Sequence, residues 1–210
     1  LFDSYLFDSE KKILVNNALS PEFSMLAKAN QPEFCPPFNI LMISSLKKYK
    51  GIDIFFDLAK KLVQFNFCLV LNAGITEIEE YFEDRKIPEN FSFFPGSNNL
   101  HQYYSKAQLV VNLSLPDLFI ESFGLTILEA QNYGIPVIVP PYGGVAELVE
   151  DGINGYKVDP HNQSELVEKI SEIFSDKVKY SVLSLNSRRV ADRYSYSDMI
   201  DKIEEVIVQL

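Results

Sequence analysis

Cysteine is scarce in this sequence of 210 residues, and the two present, Cys35 and Cys68, stand in unrelated contexts. Neither a zinc site nor a disulfide framework can be built from that spacing, and such usage fits a reducing, cytoplasmic compartment. Basic residues are outnumbered, 19 Lys and Arg against 29 Asp and Glu, giving a formal charge of -10. A surface that binds nucleic acid or anionic lipid broadly needs the opposite excess. Nucleic acid is therefore not expected as a partner, and any anionic ligand must be held locally. Long apolar runs are missing as well: none approaches a membrane span, and no charged-then-apolar leader opens the chain. The first residue is Leu1 rather than Met, as in a fragment or processed chain, which leaves peripheral membrane association of a longer parent open. His101 and His161, the only histidines, have no carboxylate, cysteine or serine partner at recognisable spacing, so each reads as a surface or cap residue.

What is present is ample apolar content, 47% of residues, enough for the core of one large domain. The echo Leu1-Phe2-Asp3-Ser4 and Leu6-Phe7-Asp8-Ser9 is too short to be a repeat architecture. Residues 1–38 read as an N-terminal extension and linker, with Pro32, Pro36 and Pro37 marking an extended connector. From Asn39 short apolar runs alternate with amphipathic stretches. Strands are predicted at residues 40–43, 68–71, 91–94, 109–111, 137–139 and 156–158, with a helix at 52–63 and helical periodicity at 165–175, 178–193 and 197–209. Continuous apolar strands separated by helices imply an α/β domain, a Rossmann-like doubly wound parallel sheet over residues 39–193, followed by a C-terminal helical segment at 194–210. Such sheets bind ligands at the carboxyl ends of their strands, so the strand-to-helix loops are where chemistry is sought.

Three loops qualify. Glu121-Ser122-Phe123-Gly124-Leu125-Thr126-Ile127-Leu128-Glu129-Ala130 follows a predicted strand and opens a helix, with two acids eight residues apart. If helical, that spacing advances roughly 12 Å, close to the span from a nucleotide's ribose across its diphosphate to an attached sugar. First-turn amides and the helix dipole would face the diphosphate, Gly124 would admit the backbone closely, Glu121 would meet the sugar and Glu129 the ribose. Against this stands the reading in which Glu121 only complements the dipole and Glu129 is a solvated acid. The second loop, Ser44-Ser45-Leu46-Lys47-Lys48-Tyr49-Lys50-Gly51, gathers three lysines in an acidic chain. Lys50 is the best-placed counter-charge for a departing diphosphate, although composition alone favours a solvated lysine before a glycine turn. The third, Pro140-Pro141-Tyr142-Gly143-Gly144-Val145-Ala146-Glu147, has paired glycines whose amides either line a sugar pocket or merely make a tight turn. Residues 96–100 and 151–155 read as connecting and turn segments.

Together these loops resemble the C-terminal, donor-binding half of the GT-B fold retaining glycosyltransferases of family 4, over about residues 39–174. The resemblance rests on Ser114-Leu115-Pro116-Asp117 leading into the 121–130 segment, then Gly134-Ile135-Pro136-Val137-Ile138 and Gly143-Gly144. It implies a glycosyltransferase that moves a sugar, with retention, from a nucleotide-diphosphate sugar to a glycan or lipid-linked acceptor, without cofactor or metal. The acceptor would be held by an N-terminal domain outside this chain. It implies that Glu121 and Lys50 are catalytic and that Glu129, Phe123, Gly124, Leu125, Thr126, Ser45, Gly143 and Gly144 bind the donor. The family's basic pair, an arginine and a lysine five residues apart, falls on Ser45 and Lys50. With serine at the first position, Lys47 or Lys48 compensates, transfer is weakened, or the domain binds without efficient turnover. A non-catalytic nucleotide-sugar-binding domain and a nucleotide-sugar epimerase are the alternatives.

Overall fold

The computed structural model describes residues 15–208, so the echo at residues 1–9 lies outside the described part. The chain first forms helix α1 (Pro21–Ala29), entered through Ser20, whose side chain accepts the amide hydrogen of Phe23. Proline at the first helical position and a serine cap are a standard start. This helix falls within the stretch expected as extension and linker; residues 30–38 then run without helix or strand to the sheet.

The sheet has six strands: β1 (Asn39–Ser45), β2 (Asn66–Asn72), β3 (Phe91–Pro95), β4 (Leu109–Val111), β5 (Val137–Val139) and β6 (Gly155–Lys157). All pair in parallel, in the spatial order β3-β2-β1-β4-β5-β6. The last strand lies one residue earlier than its apolar pattern predicts, because Gly155 can press against the carbonyl of Val137 where a Cβ would come within 2.1 Å. Between the strands lie α2 (Ile52–Lys61), α3 (Ile75–Phe82), the short α4 (His101–Tyr104), α5 (Leu125–Asn132) and α6 (Gly144–Glu147); α7 (Gln163–Phe174), α8 (Lys177–Ala191) and α9 (Tyr196–Val208) follow. Helix α2 stops at Lys61, two residues short of the predicted end, where Leu62 leaves helical geometry.

Alternation along each strand divides the core in two. Ile40, Met42, Phe67, Leu69, Leu71, Leu109, Val111 and Ile138 enter one cluster, with apolar residues of α2, α3 and α7. Leu41, Val70, Val110, Val137 and Val139 enter the other, with residues of α1, α4, α5 and α6. A sheet covered on both faces needs the unbroken apolar strands the sequence shows. The order of strands reverses at β1, whose two neighbours are β2 and β4. That switch point opens a crevice at the carboxyl ends of β1 and β4.

Candidate functional site

A cleft of about 330 Å³ occupies this crevice. The end of β1 contributes Met42 to Ser45, the end of β4 and its following residues contribute Val111, Asn112 and Ser114, and Glu121 to Thr126 close the far side. Lys50 and Asn17 complete the lining. The sequence therefore brings Ser45, Lys50, Glu121, Phe123, Gly124, Leu125 and Thr126 together, and the cleft adds Asn112 and Asn17, which carry no local motif.

Lys50 and Glu121 meet directly: Lys50 Nζ donates to Glu121 Oε2 at 2.6 Å, with side chains only 14% and 19% exposed. The two residues are distant in sequence but come from the loops that leave adjacent strands. The ammonium also lies 4.1 Å from the centre of the Phe119 ring, which stacks on Tyr49. Aromatic packing thus holds a cation at the wall of the cleft, while the neighbouring carboxylate prevents an unpaired buried charge. Lys47 and Lys48 are exposed and do not line the cleft, so neither takes the place next to Ser45 that an arginine would fill. Lys50 is the only basic side chain in the lining among the described residues.

The helix after β4 begins at Leu125, not at Glu121, so a helical rise does not set the distance between the two acids. Residues 121–124 form a turn that ends at Gly124, whose φ of 90° is left-handed, and where a Cβ would stand 2.6 Å from Val145. No side chain caps this helix. Leu125 and Thr126, its first two residues, line the cleft; first-turn amides have no acceptor within a helix, and a helix start carries the positive potential suited to an anion.

The paired glycines act from behind. Neither Gly143 nor Gly144 lines the cleft; Gly144 N–H donates to the Glu121 carbonyl at 2.8 Å. A Cβ on Gly144 would lie 1.9 Å from the carbonyl oxygen of Ser122. The pair therefore lets the 140s loop press against the turn that carries Glu121.

Glu129 sits one turn into α5, half-buried and apart from the cleft lining. Its Oε2 accepts the Tyr104 hydroxyl at 2.6 Å. Burial raises its carboxyl above the usual range, with the Tyr104 hydrogen bond opposing. Tyr104 stacks on Tyr133, whose hydroxyl meets His101 Nδ1, so His101 belongs to a packed aromatic group with Phe23. His161 is exposed and pairs with Asp117 at 3.1 Å, a partner 44 positions away that local spacing does not reveal. Neither histidine lines the cleft.

A Rossmann-like parallel sheet with a cleft at its switch point is the frame, and the sequence gives the family: residues 27–195 match the family model of glycosyl transferases group 1, and the chain belongs to that family. It is 44% identical to sucrose synthase of Melioribacter roseus, across 89% of this chain and 26% of that protein. Its backbone superposes on Anabaena HepE in complex with UDP and glucose, with a TM-score of 0.73 at 25% identity, covering 92% of this chain and 54% of HepE. Sucrose-phosphate synthase of Thermosynechococcus elongatus gives a TM-score of 0.78 at 21% identity, covering 94% of this chain and 52% of that one. The chain thus spans about a quarter of the length of that sucrose synthase and about half of each structural neighbour. Its sheet has the Rossmann-like α/β architecture of one half of a GT-B fold. Among the described residues, no helix is long and apolar enough to cross a membrane.

Proposed function

We propose that this chain is the donor-binding half of a retaining glycosyltransferase of family 4, which takes a nucleoside diphosphate sugar. The observation that carries the reading is the convergence of the Lys50–Glu121 pair with the open start of α5 in one cleft at the sheet's switch point. The diphosphate lies against the amides of Leu125 and Thr126, and Lys50 stabilises the charge that grows on it. Glu121 faces the sugar, and Glu129, one turn along α5 and outside the cleft lining, meets the ribose where the nucleoside extends beyond the cleft. In the transfer the bond from the anomeric carbon to the β-phosphate oxygen breaks, and its electron pair leaves with the nucleoside diphosphate. The acceptor hydroxyl oxygen forms the new bond on the same face, and its proton passes to the departing phosphate. The acceptor, a glycan or lipid-linked hydroxyl, is held by a further domain of the parent protein. HepE was solved with UDP and glucose, so UDP is the first probe. The melting temperature of the chain rises with saturating UDP, by the free energy of ligand binding to the folded state alone, and Glu129→Ala diminishes the rise. Failure of UDP, GDP and ADP alike to shift it contradicts the reading.

A second reading, a domain that binds without turnover, is favoured by Ser45, which leaves the cleft, among the described residues, with one lysine where a fixed pair of cations would hold the diphosphate more firmly. Sugar transfer by the full-length parent, with the anomeric configuration of the donor kept in the product, excludes it.

A further inference from the structure

Tyr104 has no exposed surface, and its ring is stacked on Tyr133 with centres 5.5 Å apart. A phenylalanine would fill the same volume, so packing accounts for the ring and not for the hydroxyl. A buried phenol requires a hydrogen-bond partner, and this one faces two acceptors on α5: Glu129 Oε2 at 2.6 Å and the Thr126 carbonyl at 3.2 Å. Residues three apart share one face of a helix. The hydroxyl therefore ties the acid to the first turn of the helix, the turn whose residues Leu125 and Thr126 line the cleft.

The choice of a phenol also matters chemically. Glu129 has no ion pair among the described residues. A half-buried carboxylate without a cation costs stability, and such an arrangement is found where the acid has another task. A neutral donor occupies one of about four lone-pair positions of a carboxylate, fixing its direction while leaving the charge and the remaining positions for other hydroxyls. A lysine or arginine in the same place would neutralise it.

We propose that Tyr104 is a positioning residue of the donor site, holding the Glu129 carboxylate in the orientation that accepts the hydroxyls of a nucleotide ribose. The inference rests on the donor-site reading above. It is tested by calorimetry with UDP and 2′,3′-dideoxy-UDP on the wild-type chain and on Tyr104→Phe. A misdirected Glu129 carboxylate loses its hydrogen bonds to the ribose, and a hydrogen bond to a charged group is worth a factor of about ten or more; Tyr104→Phe loses that factor on UDP while binding the dideoxy nucleotide as the wild type does. In the Glu129→Ala background Tyr104→Phe causes no further loss, the outcome of two residues acting through one contact. Glu129→Gln, which keeps an acceptor for the Tyr104 hydroxyl and thus the local packing, also loses affinity selectively for UDP. Equal losses of both nucleotides in Tyr104→Phe, or an undiminished affinity for UDP, overturn the assignment. A wild-type chain that binds UDP without distinguishing it from the dideoxy form overturns the ribose reading of Glu129 itself, a result separable from failure of the Tyr104 assignment.

Discussion

At Gly144 a hydrogen atom faces the carbonyl of Ser122, and a methyl group there would sit 1.9 Å from that oxygen. The contact is to backbone, which cannot rotate away, and the Gly144 amide is committed to the Glu121 carbonyl at 2.8 Å. Gly144→Ala must therefore push the 121–123 turn outward, costing about 1–3 kcal/mol of overpacking and moving Glu121 away from Lys50. The expected outcome is a lower melting temperature together with loss of UDP binding; a variant that binds UDP normally would show that the turn does not depend on this contact. The residue scale also shows why the candidate site was only partly legible. Ser45, Lys50 and the 121–126 segment follow predicted strands, so topology alone sends them to one crevice. Asn112 follows the predicted strand 109–111 by the same rule, whereas Tyr104 and Asn17 reach their places through tertiary packing, and nothing in their neighbours' spacing announces it. The glycine pair showed that a special backbone was required, but not which side of the turn it would serve.

The elements were read most surely where the physics is local. Apolar runs at 40–43, 68–71, 91–94, 109–111 and 137–139 all fall on strands, because strands buried on both faces have no polar face to blur the pattern. Helix α1 was missed: only Ala27 of its nine residues is buried, so it has little apolar stripe, although Ser20 and Pro21 carried a capping signal. Near the carboxyl end, stability depends on ties between elements. Glu172 of α7 accepts from Lys169 at 2.8 Å, from Lys179 of α8 and from Tyr156 of β6. The hydrogen bonds from Lys169 and Lys179 hold its carboxyl down at about 2, against an ordinary value of 4.5. A depressed folded-state pKa contributes stability above the unfolded value, and the contribution is lost as pH falls through the folded one. The window is thus between about pH 4.5 and pH 2. After screening by solvent the group is worth about 1 kcal/mol. Denaturant unfolding of Glu172→Gln should show that deficit at pH 7 and a vanishing difference near pH 2; a deficit independent of pH would assign the effect to packing instead.

Across the whole molecule, an acidic chain sets, among the described residues, a single lysine and the start of one helix into a cleft at the switch point of a parallel sheet. On the proposed reading, anion recognition is concentrated at that one place rather than spread over the surface. The same concentration makes the central claim directly measurable. Backbone amide resonances followed by NMR during titration with UDP report each donor separately. The largest shifts are expected at Leu125 and Thr126, with smaller ones at Ser44, Ser45 and Lys50, while Gly152, in a turn remote from the cleft lining, stays unmoved. Shifts confined to residues outside the cleft, or none at saturating UDP, GDP and ADP, would contradict the assignment of this crevice as a nucleotide-sugar site.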